Sequence, residues 1–225
     1  MLGVDLKIDP NAPLRVLCLG AHSDDIEIGC GGTLLKLSAR YPRLAVDWIV
    51  FGASGARGDE ARASAQDFLR AVESKAIRVY DFRDGFFPYA GAQIKDHFEE
   101  LKRASAPDLI LTHYRNDLHQ DHRLLCELTW NTFRDHLILE YEIPKYDGDL
   151  GAPNFFVPLD EPTIQQKIKL LLEHFGTQRS KDWFTADTFR ALLRLRGVEA
   201  RAPTQFAEAF YARKIIFSRN PDSTL

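Results

Sequence analysis

The sequence contains few cysteines and no long apolar run. Its 225 residues include three cysteines, at positions 18, 30 and 126, and no CxxC pair. An odd, sparse set of this kind fits a reducing, cytoplasmic compartment better than a disulfide framework. No uninterrupted apolar stretch of about 18 residues is present, so no membrane-spanning helix is predicted. Residues 1–10 also lack the basic segment and apolar core of a secretory signal.

An excess of basic charge is missing as well. The chain has 29 Lys and Arg against 32 Asp and Glu, which gives a net charge of −3. This balance provides no electrostatic reason to expect nucleic acid or a membrane surface as a partner. Hydrophobic residues make up 45% of the chain, which is ordinary for a globular protein. We predict a single large domain over residues 1–225.

Strand and helix patterns alternate over the first 140 residues. Short apolar runs predict strands at 14–19, 45–51, 76–80, 109–112 and 136–140. Amphipathic segments predict helices at 32–39, 60–73, 94–103 and 123–133. Repeated βαβ units favour an α/β fold in which helices cover a mostly parallel sheet, with right-handed crossovers.

The pattern changes after residue 140. Four prolines and two glycines in 141–162 predict a long ordered loop with a short strand at 154–157. Thr163 is the predicted cap of a helix at 164–175, and a second helix is predicted at 186–196, ending at Gly197. Residues 209–217 are predicted to form a final strand, and residues 218–225 to be frayed.

Two polar clusters lie just beyond predicted strands. Residues 22–25, with the sequence HSDD, follow the first strand and precede a glycine-rich stretch that is predicted to be a turn. Residues 119–122, with the sequence HQDH, follow the strand at 109–112 after a short loop. In open α/β sheets, ligands bind at the carboxyl ends of the strands. The two clusters are therefore predicted to form one shared metal site.

The residue types in these clusters suit zinc. His22 and Asp25 are three residues apart, so a tight turn can direct both to one point, and His122 completes a His-Asp-His set. Two imidazoles and one carboxylate are typical zinc ligands that leave an open position for water. Fe²⁺ or another divalent ion could use the same ligands. Such an ion lowers the pKa of bound water and polarises a carbonyl group.

The neighbouring residues suit hydrolysis. Asp24 is the predicted general base for the water, and His119 would protonate a leaving amine or stabilise an oxyanion. Asp121 is predicted to hold one imidazole in the required tautomer. Either cluster alone could be a helix cap or a surface feature. A phosphate cradle for a nicotinamide-dependent oxidoreductase is disfavoured, because the glycines match neither GxGxxG nor the P-loop.

Both clusters resemble motifs of the PIG-L/LmbE-like deacetylase family. Residues 21–33, AHSDDIEIGCGGT, are similar to that family's AHPDD-x-E-x-G-x-GGT motif, and residues 119–122 are similar to its HPDH motif. Weaker matches occur at 57–60 (RGDE), 174–178 (HFGTQ), 196–197 (RG) and 207–210 (AEAF). The resemblance covers about residues 13–217. Ser23 and Gln120 replace two prolines of the motifs, which leaves every proposed ligand in place.

The resemblance implies a Rossmann-like three-layer sandwich whose C-terminal extension closes the site. It also implies a zinc-dependent enzyme that removes the N-acetyl group from a glucosamine-type sugar or sugar conjugate, with His22, Asp25 and His122 as metal ligands. Asp24 would be the general base, and His119 the acid or oxyanion stabiliser. A homo-oligomer is compatible with the resemblance. A zinc amidase for a non-sugar amide and a non-catalytic sugar- or nucleotide-binding module remain alternatives.

Substrate contacts are predicted at three further positions. Arg57 matches a family position that binds substrate. Asp84 and Asn154 lie in two aromatic-rich stretches, 82–89 and 141–156, whose rings could stack on a sugar and whose polar residues could bind its hydroxyls. Asp117 precedes His119 by two residues and could orient it, but a loop carboxylate in water is the favoured interpretation. His113 is interpreted as a hydrogen-bonded structural histidine.

Overall fold

A computed structural model describes residues 3, 6 and 12–216 of the chain. The predicted frayed end at 218–225, Phe217 of the final predicted strand and most of the segment at 1–10 lie outside the described residues. Within the part that is described, no helix has the length and apolar character needed to cross a bilayer.

A seven-stranded mixed sheet forms the middle layer. Its strands are β1 (Leu14–His22), β2 (Leu44–Gly52), β3 (Ser74–Val79), β4 (Leu109–His113), β5 (Leu137–Tyr141), β6 (Phe155–Pro158) and β7 (Ala207–Ala212). Their order is β3-β2-β1-β4-β5-β7-β6, and the first five strands are parallel. β7 pairs antiparallel with both β5 and β6. The predicted α/β class and mostly parallel sheet are confirmed.

In the described part of the chain, six α-helices cover the two faces of this sheet. They are α1 (Asp25–Arg40), α2 (Gly55–Phe68), α3 (Gly91–Ala104), α4 (Gln120–Thr132), α5 (Glu161–His174) and α6 (Ala186–Glu199). One buried cluster joins α1, α2, α5 and α6 to one face, and a second joins α3 and α4 to the other. Because β1 and β4 are buried on both faces, they consist of nearly continuous apolar residues.

The glycine-rich stretch is helical, which contradicts the predicted turn. α1 begins at Asp25, seven residues before its predicted start, and includes residues 29–32. A Cβ atom at Gly29 would lie 2.1 Å from Cδ2 of Tyr141, and one at Gly31 would lie 2.7 Å from Cε1 of Phe68. The glycines therefore let α1 approach the sheet and α2 closely. This packing overrides the low helix propensity of glycine.

We expect Gly29→Ala to lower the free energy of unfolding by about 1–3 kcal/mol, because the added methyl overlaps the buried ring of Tyr141. Gly91→Ala is the matched control: it also lies in a helix, and the nearest atom to its added Cβ is 4.0 Å away. That control should be neutral or slightly stabilising. Urea unfolding of both variants measures the difference, and equal effects would contradict the close-packing explanation.

Other predicted boundaries also differ from the structure, including the final strand, which is β7 at Ala207–Ala212 and not 209–217. α2 begins at Gly55, five residues before the predicted start, and ends at Phe68. The cap of α5 is Asp160, whose carboxylate accepts from the main-chain N–H of Thr163 at 3.0 Å, so Thr163 itself is not the cap. α6 continues through Gly197 to Glu199. Gly197 is needed there for space, because a Cβ would lie 2.1 Å from the carbonyl oxygen of Gln205.

The strand order places the two polar clusters side by side. The chain leaves β1 toward β2 on one side and later returns to β4 on the other side of β1. Ligands bind at such a switch point because the loops after the two central strands separate there. Residues 22–25 follow β1, and residues 119–122 follow β4, at the same edge of the sheet.

Candidate active site

Three buried donor atoms converge at this edge of the sheet. His22 Nδ1 lies 3.1 Å from His122 Nε2 and 3.4 Å from Asp25 Oδ2, and the last two atoms are 3.6 Å apart. Donors bound to a tetrahedral zinc at about 2.0–2.1 Å are about 3.3–3.4 Å from one another. The spacing and chemistry of the three donors therefore fit a zinc ion.

Carboxylates face the other nitrogen of each imidazole. His122 Nδ1 lies 2.9 Å from Asp117 Oδ2. His22 Nε2 lies 3.2 Å from Asp121 Oδ2 and 3.1 Å from Asp84 Oδ1. A ring nitrogen that donates to a carboxylate leaves the lone pair of the opposite nitrogen for a metal. Both lone pairs then face the common point near Asp25.

Asp117 is not a solvated loop carboxylate, and its interpretation from sequence is wrong. It is 2% exposed, and the carboxylate that contacts His122 also accepts from the main-chain N–H of His119 at 2.8 Å. Lys145 Nζ lies 3.1 Å from Asp117 Oδ1 and 2.5 Å from Asp149 Oδ2. Lys145 and Asp149 come from the loop after β5, where no sequence pattern indicated a link to the site.

Asp121 connects the site to the loop after β3. Its Oδ2 accepts from the main-chain N–H of Gly85 at 2.6 Å, and its Oδ1 accepts from that of Phe87 at 3.1 Å. The same carboxylate contacts His22, which belongs to the other motif. Asp121 thus ties α4, the end of β1 and the loop that carries Asp84 to one another.

Overlapping groups of potential ligands surround these imidazoles on more than one side. Within the described residues, ligand atoms lie within 4.8 Å of one another in three sets: His22, His119 and His122; His22, Asp84, His119 and Asp121; and Asp25, His113 and His122. His113 Nε2 already accepts from the main-chain N–H of Ala21 at 2.9 Å. As predicted, His113 is a buried, hydrogen-bonded histidine, and its ring stacks on that of His122 at 3.9 Å.

Asp24 occupies the N-cap position of α1, yet its carboxylate makes no capping hydrogen bond. The side chain of Asp24 therefore does not act as a helix cap. Burial, together with the charge of Asp25, raises the pKa of Asp24 to about 6. The cationic groups of Lys181 and Arg57 oppose that rise. A carboxylate with this pKa is ionised near neutral pH and can accept a proton.

His119 forms the N-cap of α4 and is partly buried. Its Nδ1 accepts from the main-chain N–H of Asp121 at 3.3 Å, so the proton of a neutral ring resides on Nε2. Burial and the nearby His22 lower the pKa of His119, which favours that neutral form. The ring centroid lies 4.8 Å from that of His22. His119 is thus placed beside the donor set with one N–H available.

Arg57 and Asp84 lie together at the border of the site. Arg57 Nη1 donates to Asp84 Oδ2 at 2.7 Å, and Arg57 Nε lies 3.4 Å from the hydroxyl of Ser23. Hydrogen bonding from His22 and the charge of Arg57 hold the pKa of Asp84 well below its usual range. Both residues are partly exposed, so substrate could reach them.

The amide of Asn154 is paired with the main chain of β7. Its Nδ2 donates to the carbonyl oxygen of Ala212 at 3.1 Å, and its Oδ1 accepts from the N–H of the same residue at 2.8 Å. The side chain therefore extends the pairing of β6 with β7, and both of its polar atoms are used there. Its predicted contact with a sugar hydroxyl stays a prediction.

The aromatic stretch at 82–89 is divided between core and surface. Phe87 is fully buried, and Phe82 packs against it with the ring centroids 6.2 Å apart. Phe86 is partly exposed under the guanidinium of Arg83, and Tyr89 is 84% exposed. In this stretch, the exposed aromatic rings are therefore those of Phe86 and Tyr89. Stacking of a sugar on these rings stays a prediction.

Comparisons with known proteins identify the family. The model of the PIG-L family, described as GlcNAc-PI de-N-acetylase, matches residues 17–133. This span is slightly more than half of the 225 residues and includes both polar clusters. The uncharacterized deacetylase YaiS of Escherichia coli (strain K12) is 27% identical over 172 residues, which are 71% of this chain and 89% of that protein.

Solved structures share the fold at lower identity. The N,N'-diacetylchitobiose deacetylase from Pyrococcus horikoshii is 21% identical with a TM-score of 0.67, and the match covers 89% of this chain and 84% of that one. The 4-carboxy-2-hydroxymuconate hydratase GalB from Pseudomonas putida KT2440 is 16% identical with a TM-score of 0.66, covering 92% and 98%. Since a deacetylase and a hydratase share this fold, the fold alone does not identify the reaction.

The family match, in contrast, rests on the sequence that supplies the site. It contains the strand and helix that carry residues 22–25 and the loop and helix that carry residues 119–122. Both clusters occur in the order of the family's motifs, and the structure places them at one edge of the sheet. The chain belongs to the PIG-L deacetylase family.

Proposed function

We propose that the protein is a zinc-dependent N-deacetylase that converts an N-acetylated glucosamine-type sugar or sugar conjugate and water into a free amine and acetate. The observation that carries this proposal is the convergence of His22 Nδ1, Asp25 Oδ2 and His122 Nε2 at mutual distances of 3.1–3.6 Å. These three residues would hold the zinc ion. When bound, zinc polarises the acetyl carbonyl and lowers the pKa of water.

The remaining residues supply proton transfer and charge stabilisation. Asp24 accepts a proton from the attacking water as the oxygen–carbon bond forms. The Nε2–H of His119 donates a hydrogen bond to the oxyanion that develops on the carbonyl oxygen. The carbon–nitrogen bond then breaks, and the proton held by Asp24 passes to the leaving nitrogen. Acetate and the primary amine result, and the carboxylate of Asp24 is restored.

Arg57 and Asp84 are the proposed substrate-binding residues. The Arg57 guanidinium and the Asp84 carboxylate are partly exposed at the border of the site, and Asp84 also contacts His22. Hydroxyl groups of a sugar can accept from the former and donate to the latter. The three cysteines are free and buried, which supports a cytoplasmic location. The single domain and a homo-oligomeric assembly stay predictions.

The function is tested by measuring primary amine release from a panel of N-acetylglucosaminides and non-sugar N-acetyl amides. Each substrate is incubated with added zinc and with a chelator. Zinc-dependent release from sugars alone supports the proposal, and release from non-sugar amides favours the broader amidase. Binding of sugars without any release, by protein shown to contain metal, would favour the non-catalytic module.

Removal of the Asp117 carboxylate is expected to weaken zinc binding without abolishing it. Asp117→Asn leaves a neutral group beside His122 Nδ1, so the imidazole is a poorer ligand, and zinc affinity should fall by about 10–100-fold. Competition with a chromophoric chelator measures the affinity. Asp108→Asn, at the end of the sheet where it caps the Arg15 main chain, is the control and should retain wild-type affinity.

A further inference from the structure

A buried ion pair contacts the middle of α1. Lys167 Nζ on α5 lies 2.6 Å from Glu208 Oε1 on β7, and the two side chains are 3% and 2% exposed. Burying two charges costs free energy unless their remaining polar atoms also find partners. The pair is therefore better explained by the directional hydrogen bonds that it makes than by a contribution to stability alone.

The additional partners are main-chain groups of α1. Glu208 Oε1 accepts from the N–H of Gly32 at 2.8 Å, and Oε2 accepts from that of Thr33 at 2.6 Å. Lys167 Nζ donates to the carbonyl oxygen of Ile28 at 2.6 Å. In a regular α-helix the N–H of residue 32 is directed at the carbonyl of residue 28. The ion pair thus binds the N–H of Gly32 and the carbonyl oxygen of Ile28, two groups that face each other in a regular helix. Ile28 lies about one turn after Asp25.

Gly32 makes this approach sterically feasible. A Cβ atom at that position would lie 2.9 Å from Glu208 Oε1 and 2.5 Å from Cδ1 of Leu159. Two distant parts of the sequence therefore contact each other: residues 29–33 of the first motif and the AEAF stretch at 207–210. Neither is in contact with the donor atoms of the candidate metal site.

Apolar packing is incomplete beside the ion pair. A cavity of about 20 Å³ lies next to it, lined by Ile28, Gly29, Lys167 and Glu208 together with residues of α6. This space is sufficient for a water molecule. Beside this space, the hydrogen bonds from Lys167 and Glu208 add directional contacts to the apolar packing of α1.

We propose that Glu208 and Lys167 are positioning residues that fix the first turns of α1, and with them Asp24 and Asp25, relative to His122 on α4. The inference rests on the proposed function, because it assigns the pair a role in that reaction. Asp25 Oδ2 lies 3.6 Å from His122 Nε2, so a shift of α1 relative to α4 would alter the spacing of the donor set. A misplacement of about 1 Å can lower a reaction rate by about 100-fold.

Two variants test the role of the pair. Glu208→Gln removes the charge and one of the two acceptor oxygens that serve Gly32 and Thr33. Because an unpaired Lys167 could prevent folding, the double variant Lys167→Met/Glu208→Gln, which buries no charge, is made in parallel. In folded protein we expect kcat to fall by about 30–100-fold, KM to change by less than about threefold, and the visible spectrum of the Co²⁺-loaded protein to change.

Arg213→Met is the matched control. It breaks another ion pair with a fully buried carboxylate, Arg213 Nε to Glu140 Oε1 at 2.5 Å, without touching α1. It should lower the thermal midpoint while leaving kcat and the cobalt spectrum unchanged. Wild-type kcat and cobalt spectrum in the Glu208 variants, or an equal loss of kcat in the control, would overturn the inference.

The two proposals can fail separately. If the wild-type protein releases no amine from any substrate, the proposed function fails. The cobalt spectrum and the zinc affinity of the Glu208 variants then decide the inference, since both report the position of Asp25 without any turnover. An unchanged spectrum and affinity would overturn it, and a change in both would support it.

Discussion

Asp24→Asn is expected to lower kcat by about 10²–10⁴-fold while zinc stays bound, because the variant keeps the shape of the side chain but cannot accept a proton. The carboxylate is buried and adjacent to the donor set, and it makes no capping hydrogen bond that would give it a structural task. Steady-state kinetics and metal analysis on the same preparation measure the two effects together.

Asp25→Asn provides the sharpest contrast, since it alters the neighbouring residue in the same way. Asp25 Oδ2 lies 3.4 Å from His22 Nδ1 and 3.6 Å from His122 Nε2, so this variant should lose both zinc and turnover. If Asp24→Asn retained the wild-type rate, Asp24 would not be the base. If it lost zinc to the same extent as Asp25→Asn, Asp24 would be a ligand instead.

His122→Ala is expected to reduce zinc affinity by at least about 100-fold, because it removes one of three protein ligands, a larger change than loss of an outer hydrogen bond. His122 is buried, and its Nε2 lies 3.1 Å from His22 Nδ1. Amine release should therefore require much higher zinc concentrations. Isothermal titration of zinc-free protein measures the affinity.

His97→Ala is the control for His122→Ala. His97 lies on α3, where its ring stacks on Tyr80 at 4.2 Å, and it contacts none of the donor atoms. It should bind zinc as the wild type does. Wild-type zinc affinity in His122→Ala would contradict the assigned ligand set and direct attention to the group that contains Asp84, His119 and Asp121.

Much of the sheet can be predicted from sequence, because its parallel strands are buried on both faces. β1 and β4 consist of nearly continuous apolar residues, which stand out against the surrounding helices. Once the two strands are placed next to each other, residues 22–25 and 119–122 must meet at one edge. Topology thus brings the segments that carry His22, Asp25 and His122 together, and contacts with Asp117 and Asp121 orient the two imidazoles.

The start of α1 could not be predicted, because local and tertiary preferences disagree there. Three glycines within four residues favour a turn by intrinsic propensity. Their close contacts with Tyr141, Phe68 and Leu159, however, form only in the folded protein. Such contacts join residues that are far apart in sequence, and no periodicity within residues 29–32 reveals them.

Contacts of other polar residues could not be predicted for the same reason, because their partners are distant in sequence. The position of Asp117 two residues before His119 is visible in the sequence, but its burial and its contacts with His122 and Lys145 form only in the folded protein. Lys145 in turn pairs with Asp149. That loop has no helical or strand pattern that would place it. Asn154 is a second example: its position among aromatic residues predicts a sugar contact, and only the structure shows that its amide pairs with the main chain of Ala212.

The location of the bound metal tests the central claim most directly. Crystals of the protein grown with zinc, measured on both sides of the zinc absorption edge, would show the ion in an anomalous difference map. The account predicts one peak within about 2.0–2.2 Å of His22 Nδ1, an Asp25 carboxylate oxygen and His122 Nε2. A peak bound instead by Asp84, His119 and Asp121, or fully loaded crystals with no peak near His122, would contradict it.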